Sequence, residues 1–311
     1  MRPLKIAIGD YGLTKGFHDG AVPTGRLELE HVRVEPITAG MRRMVRGLEF
    51  DICEMAWTTY LCAKSVGKPI TAIPVFLTRN FHHWAAFHNV KSGIRTPKDL
   101  EGRTVGINRG YTVTTGIWAR GILQSEYGVD LGKITWAPTD DEHVSEYRAP
   151  GNVDYARRGQ ALPELLASGQ LAAAVGDIKV DSPDVKPLIP DARNAGYAYF
   201  KKTGIYPINH GVVIKDSALA EAPWVADELF AAFKAAKRAY LATLDKGGKR
   251  APADELAVAL GGVVGGDPFP FGIEANRKAL DAIAQFAVDQ RVTQKKYRPE
   301  DLFAPSTLAL A

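Results

Sequence analysis

The feature that most restricts the fold is a regular alternation of apolar strands and an amphipathic helix in the first third of the chain. Residues 4–8, 50–56 and 70–76 are short apolar runs of strand length. Ahead of the second run, Met41, Met44, Val45 and Leu48 recur at helical spacing. Strands that are separated by helices pair in parallel, so the chain is predicted to be an α/β protein with a parallel sheet.

A weaker copy of this helix and strand pattern recurs later in the chain. Leu162, Leu165 and Leu166 form an apolar helical stripe, Gly169 ends it, and residues 171–175 continue as a strand of small residues. At 311 residues the chain has about twice a common single-domain length. Two similar α/β lobes would explain both the length and the repeat.

Two segments have the character of crossings between such lobes. Residues 92–107 are a turn-rich stretch that leads into a strand, as at the entrance to a second lobe, and residues 206–214 resemble a return to the first. The expected division places residues 1–88 and 206–311 in lobe I and residues 89–205 in lobe II.

The charge balance excludes several classes of partner. The 39 basic and 35 acidic residues leave a net charge of +4, which is too small and too evenly spread for a nucleic-acid-binding surface. A small anionic ligand suits this balance better. No stretch approaches a membrane span and the N-terminal apolar run is too short for a signal peptide, so we expect no membrane contact and a cytoplasmic location. A monomer and a homo-oligomer are both compatible with the sequence.

Several common catalytic motifs are missing from the sequence. Cys53 and Cys62 match neither a CxxC redox pair nor a zinc pattern, so both are expected to be reduced thiols, with Cys53 buried on a strand. Neither the HExxH zinc motif nor the GxSxG serine motif occurs. The glycine-rich run 261–266 lacks the order of a nucleotide loop.

One helix start is suited to an anion. Residues 108–115 form a glycine-containing turn that opens a threonine-rich helix. Free backbone N–H groups and the helix dipole favour negative charge at such a start, and Thr112 and Thr114 add hydroxyl donors.

Arginine and aromatic side chains near these segments are candidates for binding an aromatic acid. Arg79 and Arg109 are placed to hold carboxylates through two parallel hydrogen bonds, although a structural ion pair explains either one. Arg120, in the middle of a predicted helix, is assigned a structural role. Trp84 and Tyr111 are candidates for stacking on an aromatic ring.

Three histidines are placed for proton transfer. His82 and His83 directly follow the apolar strand 73–77, and His210 lies in the predicted return crossing. Histidine titrates near neutrality, so it donates or accepts a proton readily, although a hydrogen-bonded hinge residue is an equally good explanation for each. Adjacent residues on an extended chain point to opposite faces, so no metal site is predicted here.

The remaining histidines have simpler explanations. His18, His31 and His143 are expected at the surface, and His88 is expected to be a hydrogen-bonded strand residue. Two carboxylates lie near strand ends: Asp10 and Glu54 are candidates for accepting hydrogen bonds from ligand hydroxyls, or else turn and capping groups.

An ordered series of short motifs resembles the 4,5-dihydroxyphthalate decarboxylase family. The motifs are Gly9-Asp10-Tyr11, Glu49-Phe50-Asp51-Ile52-Cys53-Glu54-Met55, Ala72-Ile73-Pro74-Val75-Phe76, Trp118-Ala119-Arg120-Gly121-Ile122-Leu123, Glu126-Tyr127-Gly128-Val129 and Gly204-Ile205-Tyr206-Pro207-Ile208-Asn209-His210. They run from about residue 5 to residue 245, and their order is far more specific than any one of them.

The resemblance implies the fold and the activity. That family is similar in fold to type II periplasmic solute-binding proteins, which implies two α/β lobes, two crossover segments and a central cleft. It also implies a cytoplasmic, non-oxidative decarboxylase of hydroxylated aromatic acids that needs no organic cofactor, with Tyr11 among the residues that contact the substrate.

Two departures bear on the substrate. Where the family pattern Arg-x-Phe-Arg-His is expected, this chain has Arg79-Asn80-Phe81-His82-His83, and Asn108-Arg109-Gly110 replaces an expected acidic and aromatic stretch. Because of the lost arginine, a hydroxybenzoate or a differently substituted acid is an alternative to a 4,5-dihydroxyphthalate-like substrate. Arg109 is then the replacement cation from the other lobe.

The resulting hypothesis is protonation of the ring carbon that bears the leaving carboxylate. His83 or His210 is expected to be the acid, with the other orienting a phenol, and Arg79 and Arg109 hold carboxylates. His82, Asp10 and Glu54 complete the predicted substrate contacts. Two alternatives remain: a non-catalytic binding or sensing protein for a small aromatic acid, and a metal-assisted enzyme that uses His82 or His83 with a carboxylate.

Overall fold

The computed structural model describes residues 2–245 and 250–311, which include ten strands and ten helices. The strands are β1 (Leu4–Ala7), β2 (Leu29–His31), β3 (Ile52–Ala56), β4 (Ile70–Arg79), β5 (Ala86–Asn89), β6 (Thr104–Ile107), β7 (Thr135–Pro138), β8 (Ala173–Val175), β9 (Val185–Pro187) and β10 (Ile208–Lys215). The helices are α1 (Lys15–His18), α2 (Ile37–Gly47), α3 (Trp57–Ser65), α4 (Thr114–Tyr127), α5 (Leu162–Ala167), α6 (Ala192–Thr203), α7 (Asp216–Glu221), α8 (Val225–Asp245), α9 (Pro252–Val264) and α10 (Arg277–Asp289).

The strands form two five-stranded sheets, one in each lobe. The order in lobe I is β2-β1-β3-β10-β4, and the order in lobe II is β7-β6-β8-β5-β9. The predicted two-lobed α/β fold is confirmed. Within the described residues, no helix combines the length and the apolar character that a bilayer crossing requires.

Each sheet is mixed, whereas the sequence predicted a parallel one. Strands β1, β2 and β3 pair in parallel, but β10 runs antiparallel to both of its neighbours, and β5 does the same in the second sheet. The reason is the connectivity: β5 and β10 are the strands that the chain forms directly after passing from the other lobe. They therefore lack the helical crossover that makes neighbouring strands parallel.

The two sheets repeat one topology. In lobe I the chain passes from β1 through α1 to β2 on one side, and then through α2 to β3 on the other side of β1. In lobe II it passes in the same way from β6 to β7 and back to β8. The predicted internal repeat corresponds to α2–β3 and α5–β8, which hold equivalent positions. Ligands of open α/β sheets bind where the connections diverge, between β1 and β3 and between β6 and β8.

The crossings lie a few residues from the predicted boundaries. All of the pairs of β5 are with strands of the second sheet, so the expected boundary after residue 88 falls inside a strand of lobe II. We propose to divide the chain instead within residues 80–85 and residues 204–207, which connect elements of the two sheets.

Helices cover both faces of the first sheet. Met41 of α2, Tyr60 of α3 and Leu280 of α10 share one core with the sheet. On the other face Phe17 of α1 and Phe233 of α8 pack with ring centroids 4.5 Å apart. Every residue of β3 is buried, which includes Cys53 as predicted. Buried elements on both faces leave the edge at the strand ends as the place for a ligand.

Candidate functional site

Four chain segments bring polar side chains to one edge of the first sheet. Strands β1, β3 and β4 are oriented alike and end at this edge, while β10 begins there because it is antiparallel. The edge therefore collects Tyr11, which follows β1, Glu54 of β3, His82, which follows β4, and His210 of β10. The predicted residues Tyr11, Glu54 and His210 meet at the point where the connections of lobe I diverge.

Glu54 is the centre of a hydrogen-bonded network at this edge. Its side chain is fully buried, and its oxygens accept hydrogen bonds from the Gly9 backbone N–H and from the Tyr11 hydroxyl, each at 2.8 Å. Its Oε1 also lies 2.6 Å from Nδ1 of His210. An ionised carboxylate only accepts hydrogen bonds, so Nδ1 of His210 carries the proton of this contact. Nε2 is then the nitrogen without a partner among the described residues, and the His210 side chain is 15% exposed.

The local sequence is suited to this network. A Cβ atom at Gly9 would lie only 2.6 Å from the Tyr11 ring, so glycine lets the ring lie across the backbone. Burial, followed by the charge of Glu54, raises the pKa of Tyr11 well above its ordinary value. Tyr11 therefore remains a protonated donor that holds the Glu54 carboxylate in place.

The two adjacent histidines lie on opposite sides of the chain. His82 lies nearly parallel to the Trp118 ring at a centroid distance of 6.3 Å, and His83 packs on Tyr199 of α6 at 5.4 Å. Burial lowers the pKa of His82 to about 3, with a smaller effect from His83 and His210. Burial also lowers the pKa of His83 to about 4, without an effect of His210. His82 is thus close enough to His210 for their charges to interact, whereas His83 packs against α6.

Arg79 is engaged in internal contacts. Its guanidinium donates to the backbone oxygens of Tyr206 at 3.0 Å and Pro270 at 3.1 Å, and also to Oδ1 of Asn276. Burial lowers its pKa to about 10. Both terminal nitrogens are occupied, so this geometry supplies no free pair of N–H groups for a carboxylate. The arginine ties the two crossings to the C-terminal part of lobe I.

The helix start that was predicted to bind an anion holds a carboxylate of the chain itself. Glu142 accepts hydrogen bonds from the backbone N–H groups of Tyr111 at 2.6 Å and Thr112 at 3.0 Å, and from the Thr112 hydroxyl at 2.7 Å. Tyr155 donates to it as well, at 2.8 Å. Sequence reasoning missed Glu142, and the only signal was the acidic run 140–142 that follows β7.

Two helix N-termini face each other across the lobes. The hydroxyl of Thr114 in α4 accepts a hydrogen bond from the Thr58 backbone N–H of α3 at 3.1 Å, and the two hydroxyls are 2.9 Å apart. Thr58 also donates to the backbone oxygen of Thr112. Thr112 and Thr114 thus lie at the junction of the lobes, but their polar groups are used in joining α3 to α4.

Arg109 lies at the point where the connections of lobe II diverge. It follows β6 and has a left-handed backbone with φ of 69°. Its side chain is half-buried, and burial lowers its pKa, an effect opposed by the charges of Asp177 and Asp140. The guanidinium has no hydrogen-bonding or ion-pair partner within residues 2–245 and 250–311. An unpaired, half-buried guanidinium is suited to a ligand carboxylate.

The segment around His143 connects lobe II to lobe I. Arg42 of α2 forms an ion pair with Asp140 at 2.9 Å, and Arg46 donates to the backbone oxygens of Glu142 and His143. Nδ1 of His143 lies 3.2 Å from the hydroxyl of Thr59. The expectation of a surface histidine is therefore wrong for His143: it is buried under these contacts, and its pKa is lowered to about 4, mainly by burial.

The remaining predicted residues lie at the periphery. Asp10 is exposed beside a cavity of about 560 Å³ that Tyr11, His18 and His31 also line. Trp84 is half-buried next to His82 and lines a different, smaller cavity.

Two smaller expectations concern His88 and Arg120. His88 lies in β5 as predicted, but its Nδ1 is buried without a partner in the described part of the chain, so it is not fully hydrogen-bonded. Arg120 is fully buried and donates to Gln290 and to the backbone oxygen of Tyr111, in keeping with a structural role.

The described residues offer no group of three or more histidine, cysteine, aspartate or glutamate side chains with the geometry of a metal site. His82 and His83 illustrate the reason, since their rings face different helices. Both cysteines are free and buried.

Comparison with known proteins agrees with the motif series. Residues 43–176 match the family model described as NMT1/THI5 like. The 4,5-dihydroxyphthalate decarboxylase of Comamonas testosteroni is 27% identical, and the match covers 98% of this chain and 97% of that protein. The 4,5-dihydroxyphthalate decarboxylase of Pseudomonas putida is 28% identical, over 56% of this chain and 69% of that protein.

Solved structures agree with the fold. The periplasmic aliphatic sulphonate binding protein SsuA of Escherichia coli superposes with a TM-score of 0.56 at 12% identity, over 99% of both chains. The desulfurization enzyme DSZB superposes with the same TM-score of 0.56 and 12% identity, over 99% of this chain and 98% of that one. The chain is therefore similar to the 4,5-dihydroxyphthalate decarboxylases, as its motifs predicted, and it has the two-lobed fold of periplasmic binding proteins.

Proposed function

We propose that the protein is a non-oxidative decarboxylase of a hydroxylated aromatic carboxylic acid that binds between the lobes. The observation that carries this proposal is the network of Glu54, Tyr11 and His210, which directs Nε2 of His210 away from the Glu54 carboxylate at the ligand-binding edge of the sheet. The names of the two relatives support the same chemistry.

In the proposed reaction, the protonated imidazole of His210 transfers its Nε2 proton to the ring carbon that bears the carboxylate. The bond from this carbon to the carboxylate carbon then breaks, its electron pair returns to the ring, and carbon dioxide leaves. One proton is consumed for each carbon dioxide released, and His210 regains that proton from solvent. A ring hydroxyl stabilises the positive charge of the intermediate.

Each partner of His210 has a role in this step. Glu54 orients the imidazole and stabilises its charged form, as a buried carboxylate does in other histidine-dependent sites. Arg109 holds the carboxylate from lobe II before it leaves. Ring protonation requires a proton donor and no electron carrier, so we propose that no organic cofactor takes part.

A binding protein without catalytic activity is the second candidate. The unpaired guanidinium of Arg109 suits the capture of an aromatic acid whether or not a reaction follows. The two candidates differ in one observable, which is the release of product.

The test is incubation of chelator-treated protein with a panel of hydroxylated benzoates and phthalates, followed by mass spectrometry and detection of carbon dioxide. We expect turnover of at least one compound. The variant His210→Gln is expected to lose activity by at least about 100-fold, which is the usual contribution of general acid catalysis. The matched control is His88→Gln, a histidine in a strand of lobe II that lies outside the site and is expected to keep wild-type turnover.

Three outcomes decide between the candidates. Saturable binding without product from any compound would leave the binding protein as the function. Activity that appears only after a divalent ion is returned would replace the proposal by a metal-assisted mechanism. Full turnover by a folded His210→Gln protein would remove His210 from the role of the acid.

A further inference from the structure

A cavity of about 460 Å³ lies beside residues 204–207, the second crossing between the lobes. Its wall includes Gly204 and Tyr206 of this crossing and Arg79, the last residue of β4. The residues of the Glu54 network at the sheet edge are not part of its wall. Pockets that bind small molecules have volumes of about 300–1,000 Å³, so this cavity has room for a small organic ligand.

One wall of the cavity contains a buried cation without a counter-charge. Arg79 is 7% exposed and donates to three uncharged oxygens, those of Tyr206, Pro270 and Asn276. Within residues 2–245 and 250–311 it forms no ion pair. A buried cation without an anion is costly. An anion in the adjoining cavity would offset this cost through its charge, even though the terminal nitrogens of Arg79 are already occupied.

A second cation on the wall offers accessible hydrogen-bond donors. Lys278 of α10 has an exposed side chain that packs against Gly204, where a Cβ atom would lie only 2.7 Å from Nζ. Its Nζ has no hydrogen-bonding or ion-pair partner in the described part of the chain. An ammonium group carries three donors, so Lys278 is placed to bind an anion that lies beside Arg79.

Two carboxylates also line the cavity, and each is already paired with a cation. Asp267 forms an ion pair with Lys237 at 2.6 Å. Glu274 forms an ion pair with Arg277, and its side chain is 80% exposed to water, which screens its charge. The two cations described above are therefore the charges of the wall that lack a counter-charge among the described residues.

Much of the remaining wall is apolar. It is formed by side chains from α6, the second crossing, the end of α9 and the start of α10, namely Phe200, Tyr206, Val264, Pro270, Ala275 and Ala279. Apolar walls of this kind bind the apolar body of a ligand, while a few polar groups fix its orientation. A carboxylate joined to an apolar body therefore matches this cavity better than an inorganic anion does.

We propose that this cavity is a second ligand site, which binds a small organic acid. The carboxylate is held by Lys278 beside Arg79, and the apolar body packs against the aromatic side chains of the wall. This site is separate from the proposed active site and does not depend on the proposed function. The second crossing continues directly into β10, so the ligand contacts the segment that leads to His210.

The test compares cyclohexanecarboxylate with cyclohexanecarboxamide, which has a similar size and no charge. Calorimetry on the full chain at pH 7.5 measures the dissociation constants, with inorganic phosphate as a third probe. None of the three has the hydroxylated aromatic ring of the proposed substrate. We expect the carboxylate to bind at least about ten-fold more tightly than the amide or phosphate, because hydrogen bonds to charged groups are stronger and phosphate has no apolar body.

Variants assign the binding to this cavity. Lys278→Gln is expected to weaken binding of cyclohexanecarboxylate by at least about ten-fold, whereas Lys278→Arg keeps the charge and is expected to retain binding. Lys201→Gln is the matched control, since it removes an exposed lysine of α6 that does not line the cavity. Arg109→Gln removes the cation assigned to the cleft and is expected to leave this binding unchanged. Arg79 is left intact because it holds the crossings together.

The outcomes decide the proposal without reference to catalysis. Loss of binding in Lys278→Gln, with binding retained in the two controls, supports it. No binding of cyclohexanecarboxylate, or equally tight binding of the amide or of phosphate, overturns it. Unchanged binding by a folded Lys278→Gln protein also overturns it, and loss of binding in Arg109→Gln alone would assign the ligand to the cleft. Turnover of the aromatic acids is measured separately, so the decarboxylase is tested independently.

Discussion

At the scale of single residues, Glu54 shows how the chain supports a buried charge. A carboxylate removed from water is costly unless its oxygens are hydrogen-bonded. Gly9 and Tyr11, which both follow β1, and His210 of β10 supply the three donors. The same contacts orient His210, so the arrangement that makes Glu54 tolerable in the core also prepares the proposed acid.

Replacing Glu54 should therefore affect the reaction more than substrate binding. We expect Glu54→Gln to lower kcat by at least about 100-fold while KM changes little, because the charged imidazole loses its counter-charge. The matched control is Asp51→Asn, which alters another buried carboxylate at the opposite end of the same strand and should reduce stability but not kcat. Steady-state kinetics on folded protein checks the prediction, and a kcat within a few-fold of wild type would contradict it.

At the scale of elements, α4 determines how the lobes meet. Its N-terminal threonine contacts α3, and Trp118 donates to the backbone oxygen of Ile208 in β10 at 2.7 Å. On the same helix, Gly121 faces Phe286 of α10 so closely that a Cβ atom would lie 2.3 Å from the ring. Close packing of α4 on α10 thus depends on this glycine.

Two glycine substitutions in helices should have opposite effects on stability. Gly121→Ala is expected to lower the free energy of unfolding by about 1–3 kcal/mol, because the Phe286 ring must move. Gly262→Ala in α9 adds a methyl group with no other atom within 4 Å. It is expected to raise the free energy of unfolding by up to about 1 kcal/mol, because alanine has a higher helix propensity than glycine. Denaturant unfolding measures both values. If Gly121→Ala were as stable as wild type, the Phe286 ring would be able to move away from the added methyl group without a loss of stability.

At the scale of the whole molecule, three buried histidines link stability to pH. The pKa values of His82, His83 and His143 are lowered to about 3, about 4 and about 4, in each case mainly by burial. An unfolded histidine has a pKa near 6.5. Below that pH the unfolded chain binds more protons than the folded one, so stability falls as the pH decreases.

We therefore expect the free energy of unfolding to fall by up to about 4 kcal/mol between pH 7.5 and pH 5.5, a value built from roughly one proton for each of the three histidines. Chemical denaturation at a series of pH values measures this change in the free energy of unfolding. His143→Gln should remove about a third of this dependence, since glutamine does not titrate. A free energy that stays constant over this range would contradict the assignment of three neutral buried rings.

Local patterns in the sequence predicted much of the fold and part of the site. Apolar strands at intervals set by helices indicated an α/β chain, and the positions of Asp10 and Glu54 near strand ends marked the edge that holds the candidate site. The opposite orientation of His82 and His83 also followed from local geometry, because side chains alternate along an extended chain. These features depend on a few neighbouring residues, which is why they could be predicted from the sequence.

Contacts between distant residues were decided only in the tertiary structure. Glu142 fills the helix start that local geometry offers to a ligand, His143 is buried by arginines from α2, and Arg79 is occupied by oxygen atoms far along the chain. The different surroundings of the two adjacent histidines were decided in the same way, because His82 packs on Trp118 and His83 packs on Tyr199. The sequence by itself determined the fold class and the residue types at the sheet edge, because periodicity and turns are local. Tertiary structure decided which charges remain unpaired, because a charge is free only when no distant partner reaches it.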